Sequence, residues 1–193
     1  MICIDPGHGG RFRGAISGWV REDDVVLDYA RTLRAEMQRR GHKVVLTRSE
    51  DRELAPTLTA DLAARAAMAN EAGAVAFVSL HCNASPSPSA RGAWLIHAAG
   101  SVRGKALARA IYNEFARIPE MLDADPAVEV YPDESPPVDG RRLAVLRKTR
   151  MPAVLVELGF LTHAGDRARL LDCTTRAVVA GAIADGLAAW LRA

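Results

Sequence analysis

The chain is short of the residues that would hold it together by sulfur. Its three cysteines, Cys3, Cys82 and Cys173, are odd in number and show no CxxC spacing, which excludes a disulfide framework and a cysteine-built zinc ribbon. No run of about 18 apolar residues exists, so no segment reads as a transmembrane helix. An excess of one charge is missing too: 25 Lys and Arg against 23 Asp and Glu leave a net +2. That balance offers no basis for nucleic-acid binding and little for a membrane surface. The opening Met1-Ile-Cys-Ile-Asp5 reads directly as a strand, not as a basic stretch followed by an apolar one, so no export signal is expected. There are no internal repeats, no low-complexity tract and no linker. The helical HExxH motif of zinc proteases and the GxxxxGK[ST] phosphate loop are both absent.

What is present is an ordinary globular composition, 49% hydrophobic and 25% charged over 193 residues, enough for one domain with a sizeable core. Short apolar runs alternate with helical patterns. Ile2–Asp5 reads as a buried strand ending in Pro6-Gly7, and the loop after it stays glycine-rich through Gly9, Gly10, Gly14 and Gly18. A helix follows from about Asp23 to Arg40, with Val26, Tyr29, Leu33 and Met37 on one face and Gly41 at its end. Lys43–Arg48 is a second strand, Thr59–Glu71 a second helix, Val75–Leu80 a third strand and Gly92–His97 a fourth. Ser101 can cap a helix to Arg117 with Leu107, Ile111 and Phe115 in one stripe. Residues 118–140, rich in proline and acids (Glu120, Asp123, Asp125, Glu129, Asp133, Glu134, Asp139), read as a surface excursion. Ala153–Glu157 is the last strand and Thr174–Arg192 a closing amphipathic helix. The expected fold is a single α/β domain over residues 1–193, its largely parallel sheet covered on both faces.

Three strands run into polar groups that packing alone would not select: the first into His8, the third into His81, the last into Glu157. If these strands are parallel, the three residues gather at the carboxyl edge of the sheet, where α/β sites form. Two imidazoles with a carboxylate suit a catalytic zinc that keeps an open position. Loop histidines that merely donate hydrogen bonds are the competing reading.

The residues that carry this chemistry resemble a known family. Ile4-Asp5-Pro6-Gly7-His8-Gly9-Gly10 resembles the opening motif of the zinc-dependent N-acetylmuramoyl-L-alanine amidases of the Amidase_3 type. In order along the chain, Gly14-Ala15, Glu22, Thr47-Arg48, Leu62-Ala-Ala-Arg65-Ala-Ala-Met-Ala69-Asn70, Ser79-Leu80-His81-Cys82-Asn83-Ala84, Leu143–Leu146 and Pro152–Leu161 are similar to later segments of that family. The resemblance implies a twisted, mostly parallel sheet of about six strands, and one zinc per chain held by His8, Glu22 and His81. It implies Glu157 as general acid/base, and peptidoglycan as substrate, cut between the muramyl lactyl group and L-alanine. An endopeptidase or carboxypeptidase of the stem peptide, and a wall-binding module without catalysis, remain alternatives. The chain is expected to act as a monomer on the cell wall, in the periplasm or outside the cell. A phage or prophage endolysin, cytoplasmic until released, is the favoured setting over an excised domain of an exported enzyme.

Several neighbours compete for roles. Asp23 and Asp24 are decoys for Glu22, since the family usually has a lysine after its ligand glutamate; Glu22 is chosen because it lies five residues before Leu27. Asp5 is either an acceptor for a ligand imidazole N–H or a turn-forming residue before proline. Asn83 either touches substrate or braces its loop. His42 and His97 are read as surface residues, and His163 as loop filler, with contact to substrate or to the metal's surroundings as the alternative. Cys82 is read as a buried thiol, because strand alternation turns it away from His81.

Overall fold

The computed structural model describes residues 1–119, 121–122, 131–132 (backbone only) and 143–193. All seven acidic residues of the 118–140 excursion lie outside the described residues. Near the start of that segment Met121 is buried in the core and its carbonyl accepts from Ala93 N at 2.8 Å, so that residue departs from the surface reading.

Six strands form the sheet. They are β1 (Ile2–Pro6), β4 (Val44–Leu46), β5 (Ala76–Asn83), β6 (Trp94–His97), β7 (Tyr131–Pro132) and β8 (Ala153–Phe160), in the order β4-β1-β5-β8-β6-β7. The first four in that order are parallel; β6 runs antiparallel to β8 and carries β7 parallel to itself. Both faces are covered, which is why the strands read as continuous apolar runs. Ile2, Ile4, Val78, Leu80, Val154 and Val156 face one core with helices α1 (Glu22–Arg39), α3 (Val102–Phe115) and α6 (Cys173–Arg192). Cys3, Phe77 and Leu155 face a smaller one beneath α2 (Leu58–Glu71) and α4 (Ala144–Lys148). The alternation of a pleated strand assigns each residue to its side.

The helical stripes behave as expected. Val26, Tyr29, Leu33 and Met37 are buried, as are Leu107, Ile111 and Phe115. The α1 end is a Schellman motif: Gly41 at φ +84 donates to Gln38 O and His42 donates to Met37 O. Ser101 caps α3 by accepting from Gly104 N. Five small elements were not anticipated. A hairpin of β2 (Ile16–Ser17) and β3 (Val20–Arg21) lies inside the glycine-rich loop, and β7, α4 and α5 (Ala164–Leu171) are each too short to give a period.

Two expectations need correction. The strands carrying His81 and Glu157 do not stop there but continue to Asn83 and Phe160, so both residues lie within strands. Apolar Leu158 and Phe160 and the pairing Asn83↔Phe160 extend the ladder past the polar positions. His97 is not a surface residue: it is 5% exposed, its Nδ1 2.9 Å from Ala98 O, because β6 is covered on that side.

Helices α3 and α6 approach closely at Gly186, where an added Cβ would come within 2.6 Å of Ile111 Cα, whereas one at Gly181 would meet nothing within 4 Å. Gly186→Ala should destabilise the domain by about 1–3 kcal/mol through overpacking. Gly181→Ala, in the same helix, should stabilise it by about 0.5–1 kcal/mol through lower backbone entropy of the unfolded chain. Urea unfolding of both variants checks the opposite signs.

Candidate metal and catalytic centre

The site begins with Pro6-Gly7-His8, where the chain leaves β1 without a sheet partner for its carbonyls. Two buried arginines supply the donors. Arg48 donates from Nε to Pro6 O (3.0 Å) and from Nη2 to Gly7 O and Asp23 O (both 2.8 Å). Arg65 donates from Nη1 to Pro6 O (2.7 Å) and from Nη2 to His8 O (2.6 Å). Arg65 is itself held by Asp61 Oδ1 at 2.6 Å and Asp5 Oδ1 at 2.9 Å. The clamp fixes His8 at φ +60, the one non-glycine residue with positive φ among those described, a conformation that costs of order 1–3 kcal/mol and needs such support.

Asp5 therefore serves neither of the roles expected of it. Its carboxylate accepts from Thr47 Oγ1 (2.5 Å), Ser79 Oγ (2.7 Å) and Arg65, not from an imidazole. Burial alone would raise its pKa, but the Arg65 charge and the two hydroxyls outweigh burial and hold it below the usual carboxylate range.

His8, Glu22 and His81 come together. His8 Nε2 lies 3.2 Å from His81 Nδ1, and Glu22 Oε1 lies 3.1 Å from the first and 3.0 Å from the second. Glu22 is the first residue of α1, and both its oxygens are otherwise engaged: Oε2 accepts from Ala15 N (2.8 Å) and Oε1 from Cys82 N (2.9 Å). Burial would raise its pKa, but the hydrogen bonds and charges of the two imidazoles hold it well below the usual range. The decoys point elsewhere. Asp23 is taken by Arg21 at 2.6 Å, and Asp24 is exposed. Two glycines make the convergence possible. A Cβ on Gly7 would lie 2.3 Å from the His81 ring, and one on Gly14, at φ +70, 2.3 Å from Glu22 Oε2 and 2.7 Å from His8 Cδ2.

These three donor atoms fit a metal. Ligands at two corners of a tetrahedron with bonds of 2.0–2.1 Å are about 3.3 Å apart, close to the spacings here. The His8 and His81 side chains remain 27% and 17% exposed, so one side of the cluster faces solvent.

Glu157 stands beside the cluster. The β5–β8 register pairs it with His81, which puts both side chains on the same sheet face. Its Oε2 is the single buried side-chain oxygen or nitrogen without a hydrogen-bond partner among the described residues. Burial, with the Glu22 charge added, pushes its pKa up to about 8.

The other residues make contacts within the fold. Cys82 is buried, and burial, then Glu22 and Glu157, raise its thiol well above the ordinary value, as a buried thiol should behave. Asn83 Oδ1 accepts from Ala84 N, bracing its own loop. His163 caps α5 by accepting from Asp166 N at 3.2 Å. What sequence reasoning missed is the anchoring role of Arg48, Arg65 and Asp166. Asp166 is buried and its Oδ2 holds both Gly92 N and Phe160 N at 2.8 Å. An arginine inside an otherwise apolar or alanine-rich segment was the available signal for the first two. A larger cleft, about 630 Å³, lies at the opposite end of β8 near Ser101, Arg103 and Arg150, and touches none of the residues above.

Fold and site together define the class: a single α/β domain with a two-histidine, one-glutamate donor set that could hold a metal ion and an unpartnered carboxyl beside it. The chain belongs to the Amidase_3 family, described as N-acetylmuramoyl-L-alanine amidase, whose model matches residues 2–189. It is 29% identical over 195 residues to the germination-specific N-acetylmuramoyl-L-alanine amidase of Bacillus subtilis, covering 97% of this chain and 78% of the relative. It is 30% identical over 194 residues to the endolysin of Bacillus phage SPP1, covering 97% and 65%. Other curated relatives are longer, and the chain spans 43% and 35% of two of them. Among solved structures, the CwlD amidase of Clostridioides difficile in complex with the GerS lipoprotein superposes with a TM-score of 0.87 at 27% identity, covering 99% and 98%. The catalytic domain of CwlV, from Bacillus (Paenibacillus) polymyxa, gives 0.83 at 31% identity, covering 99% and 97%.

Two outcomes follow from the buried charges. Arg65→Met should cost about 3–5 kcal/mol in unfolding free energy, because Asp5 and Asp61 lose their buried counter-charge. In metal-free protein, Glu157 binds its proton more tightly folded than unfolded. Its contribution to stability is therefore full below pH 4.5 and is lost as pH rises towards about 8. Comparing pH-dependent unfolding of metal-free wild type with Glu157→Gln should show that slope removed in the variant.

Proposed function

We propose that residues 1–193 form a zinc-dependent catalytic domain that hydrolyses peptidoglycan at the amide between the N-acetylmuramic acid lactyl group and the L-alanine of the stem peptide. The observation that carries this reading is the unpartnered Glu157 carboxyl beside three converging donors. Family membership supports the choice of bond, and the donor set supports the choice of metal.

His8, Glu22 and His81 would hold the ion; two neutral imidazoles and one carboxylate leave it a net +1. Zinc held there supplies Lewis acidity to an amide carbonyl and to water, lowering the pKa of the latter to around 7. The chain's own residues do the rest. The Arg48–Arg65 clamp keeps the His8 ring in place without reliance on the metal. Glu22 stays ionised because the Ala15 and Cys82 N–H groups donate to its carboxylate. Glu157 takes a proton from the attacking water and hands it to the departing alanine nitrogen. Its raised pKa makes it a stronger base than an ordinary carboxylate, and a cation beside it would draw that value back towards neutrality. Its place within a strand, beside His81 on β5 and Trp94 on β6, limits the directions it can take. Such a substrate puts the work of the domain at the cell wall, and no helix among the described residues is long and apolar enough to cross a membrane.

Metal analysis should find about one zinc per chain, lost in His8→Ala or His81→Ala. Mass spectrometry of digested peptidoglycan should find stem peptides with a free L-alanine amino terminus. Glu157→Gln should keep its zinc and lose about 10²–10⁴ in kcat. Cut peptides still joined to muramic acid would instead establish an endopeptidase, and full activity in Glu157→Gln would remove that residue from the mechanism.

A further inference from the structure

The hairpin of β2 and β3 carries Trp19 at its tip, 82% exposed, with Ile16 56% exposed on its outgoing strand. Trp19 sits in a tight two-residue turn whose Gly18 has φ +62, so the indole projects from a short ladder and not from a loose loop. The base of the hairpin is tied to the site on both sides. Glu22 N donates to Ala15 O at 2.9 Å while Ala15 N donates to Glu22 Oε2 at 2.8 Å. Arg167 Nη1 donates both to Ser17 Oγ (3.1 Å) and to Leu161 O (2.9 Å), just past the end of β8. Leu161 N in turn donates to Asn83 O at the end of β5. Trp19 precedes Glu22 by three residues, so their Cα atoms are no more than about 10 Å apart.

We propose that Trp19 is a sugar-binding residue, stacking its indole face on a pyranose ring of the glycan strand while the scissile amide lies at the His8–Glu22–His81 cluster. The inference rests on the function proposed above. Its chemistry follows from the substrate: the amide hangs from the muramyl ring through a lactyl ether, so a sugar lies within a few bonds of the reacting carbonyl. The next sugars then lie about as far away as Trp19 can reach. A pyranose offers one face of C–H groups, and an indole offers the largest flat apolar surface of any side chain, with low conformational entropy to lose. A large exposed aromatic on a braced turn is thus preorganised for this contact.

The test uses glycan strands stripped of their stem peptides, which bind without being cut, titrated calorimetrically into the zinc-loaded chain. Trp19→Ala should weaken binding at least tenfold and Trp19→Tyr less than threefold, with unchanged melting temperature and zinc content. In kinetics on intact peptidoglycan, Trp19→Ala should raise KM by a similar factor and leave kcat alone. On a sugar-free D-lactoyl-L-alanyl peptide it should match the wild type. Wild-type strand affinity in Trp19→Ala, or an equal loss on the sugar-free peptide, overturns the assignment; so does self-association that vanishes with Trp19 while strand binding does not. Strand binding needs no hydrolysis. Trp19-dependent binding in a chain that releases no stem peptides would therefore count against the amidase reading and leave the sugar contact standing.

Discussion

Two buried guanidinium groups converging on the carbonyls of Pro6, Gly7 and His8 are the constraint on which the remainder of the site depends. A chain that leaves a central strand inside a domain carries carbonyls with no ladder to accept into, and buried backbone groups without partners are rare because they are costly. A buried arginine has the converse difficulty, with five donors and a charge to satisfy. Here each answers the other, and Asp5 and Asp61 balance the charge of Arg65. The result is a loop rigid enough to hold His8 in a left-handed conformation. Gly7 lets the His81 ring lie against its backbone, and Gly14 leaves room for Glu22.

The two glutamates of the site are chemically identical and are driven apart by their surroundings. Glu22 has two backbone N–H groups and two imidazoles around it and stays ionised well below the ordinary range. Glu157 has a buried oxygen with no partner and the negative charge of Glu22 nearby, and rises to about 8. Environments that separate the pKa values of two like groups assign them different work. One is suited to remain an anion and hold a cation; the other is suited to exchange a proton.

Much of this was legible from residue order. Apolar stripes of helical period placed α1, α3 and α6, and glycine at the C′ position marked the end of α1. Polar residues interrupting strand patterns singled out His8, His81 and Glu157, since burial selects against them unless chemistry requires them. The same logic failed where the signal was too short or too distant. A two-residue strand has no periodicity, so the β2–β3 hairpin was invisible. Leu158 and Phe160 continued a strand that Glu157 seemed to end. His97 reads as a surface residue because nothing local shows that β6 is covered.

Sequence alone singled out His8, His81 and Glu157 and the kind of element beside which each sits, because strand alternation and helix period are local properties of the chain. Only the tertiary structure decided that one oxygen of Glu22 lies against both imidazoles, and that Asp5 serves an arginine in place of a histidine. It also decided that Glu157 is left without a partner. These outcomes depend on which groups meet from segments tens of residues apart, and on the shared desolvation that then fixes their charges. Neither quantity exists until the sheet has brought β1, β5 and β8 side by side.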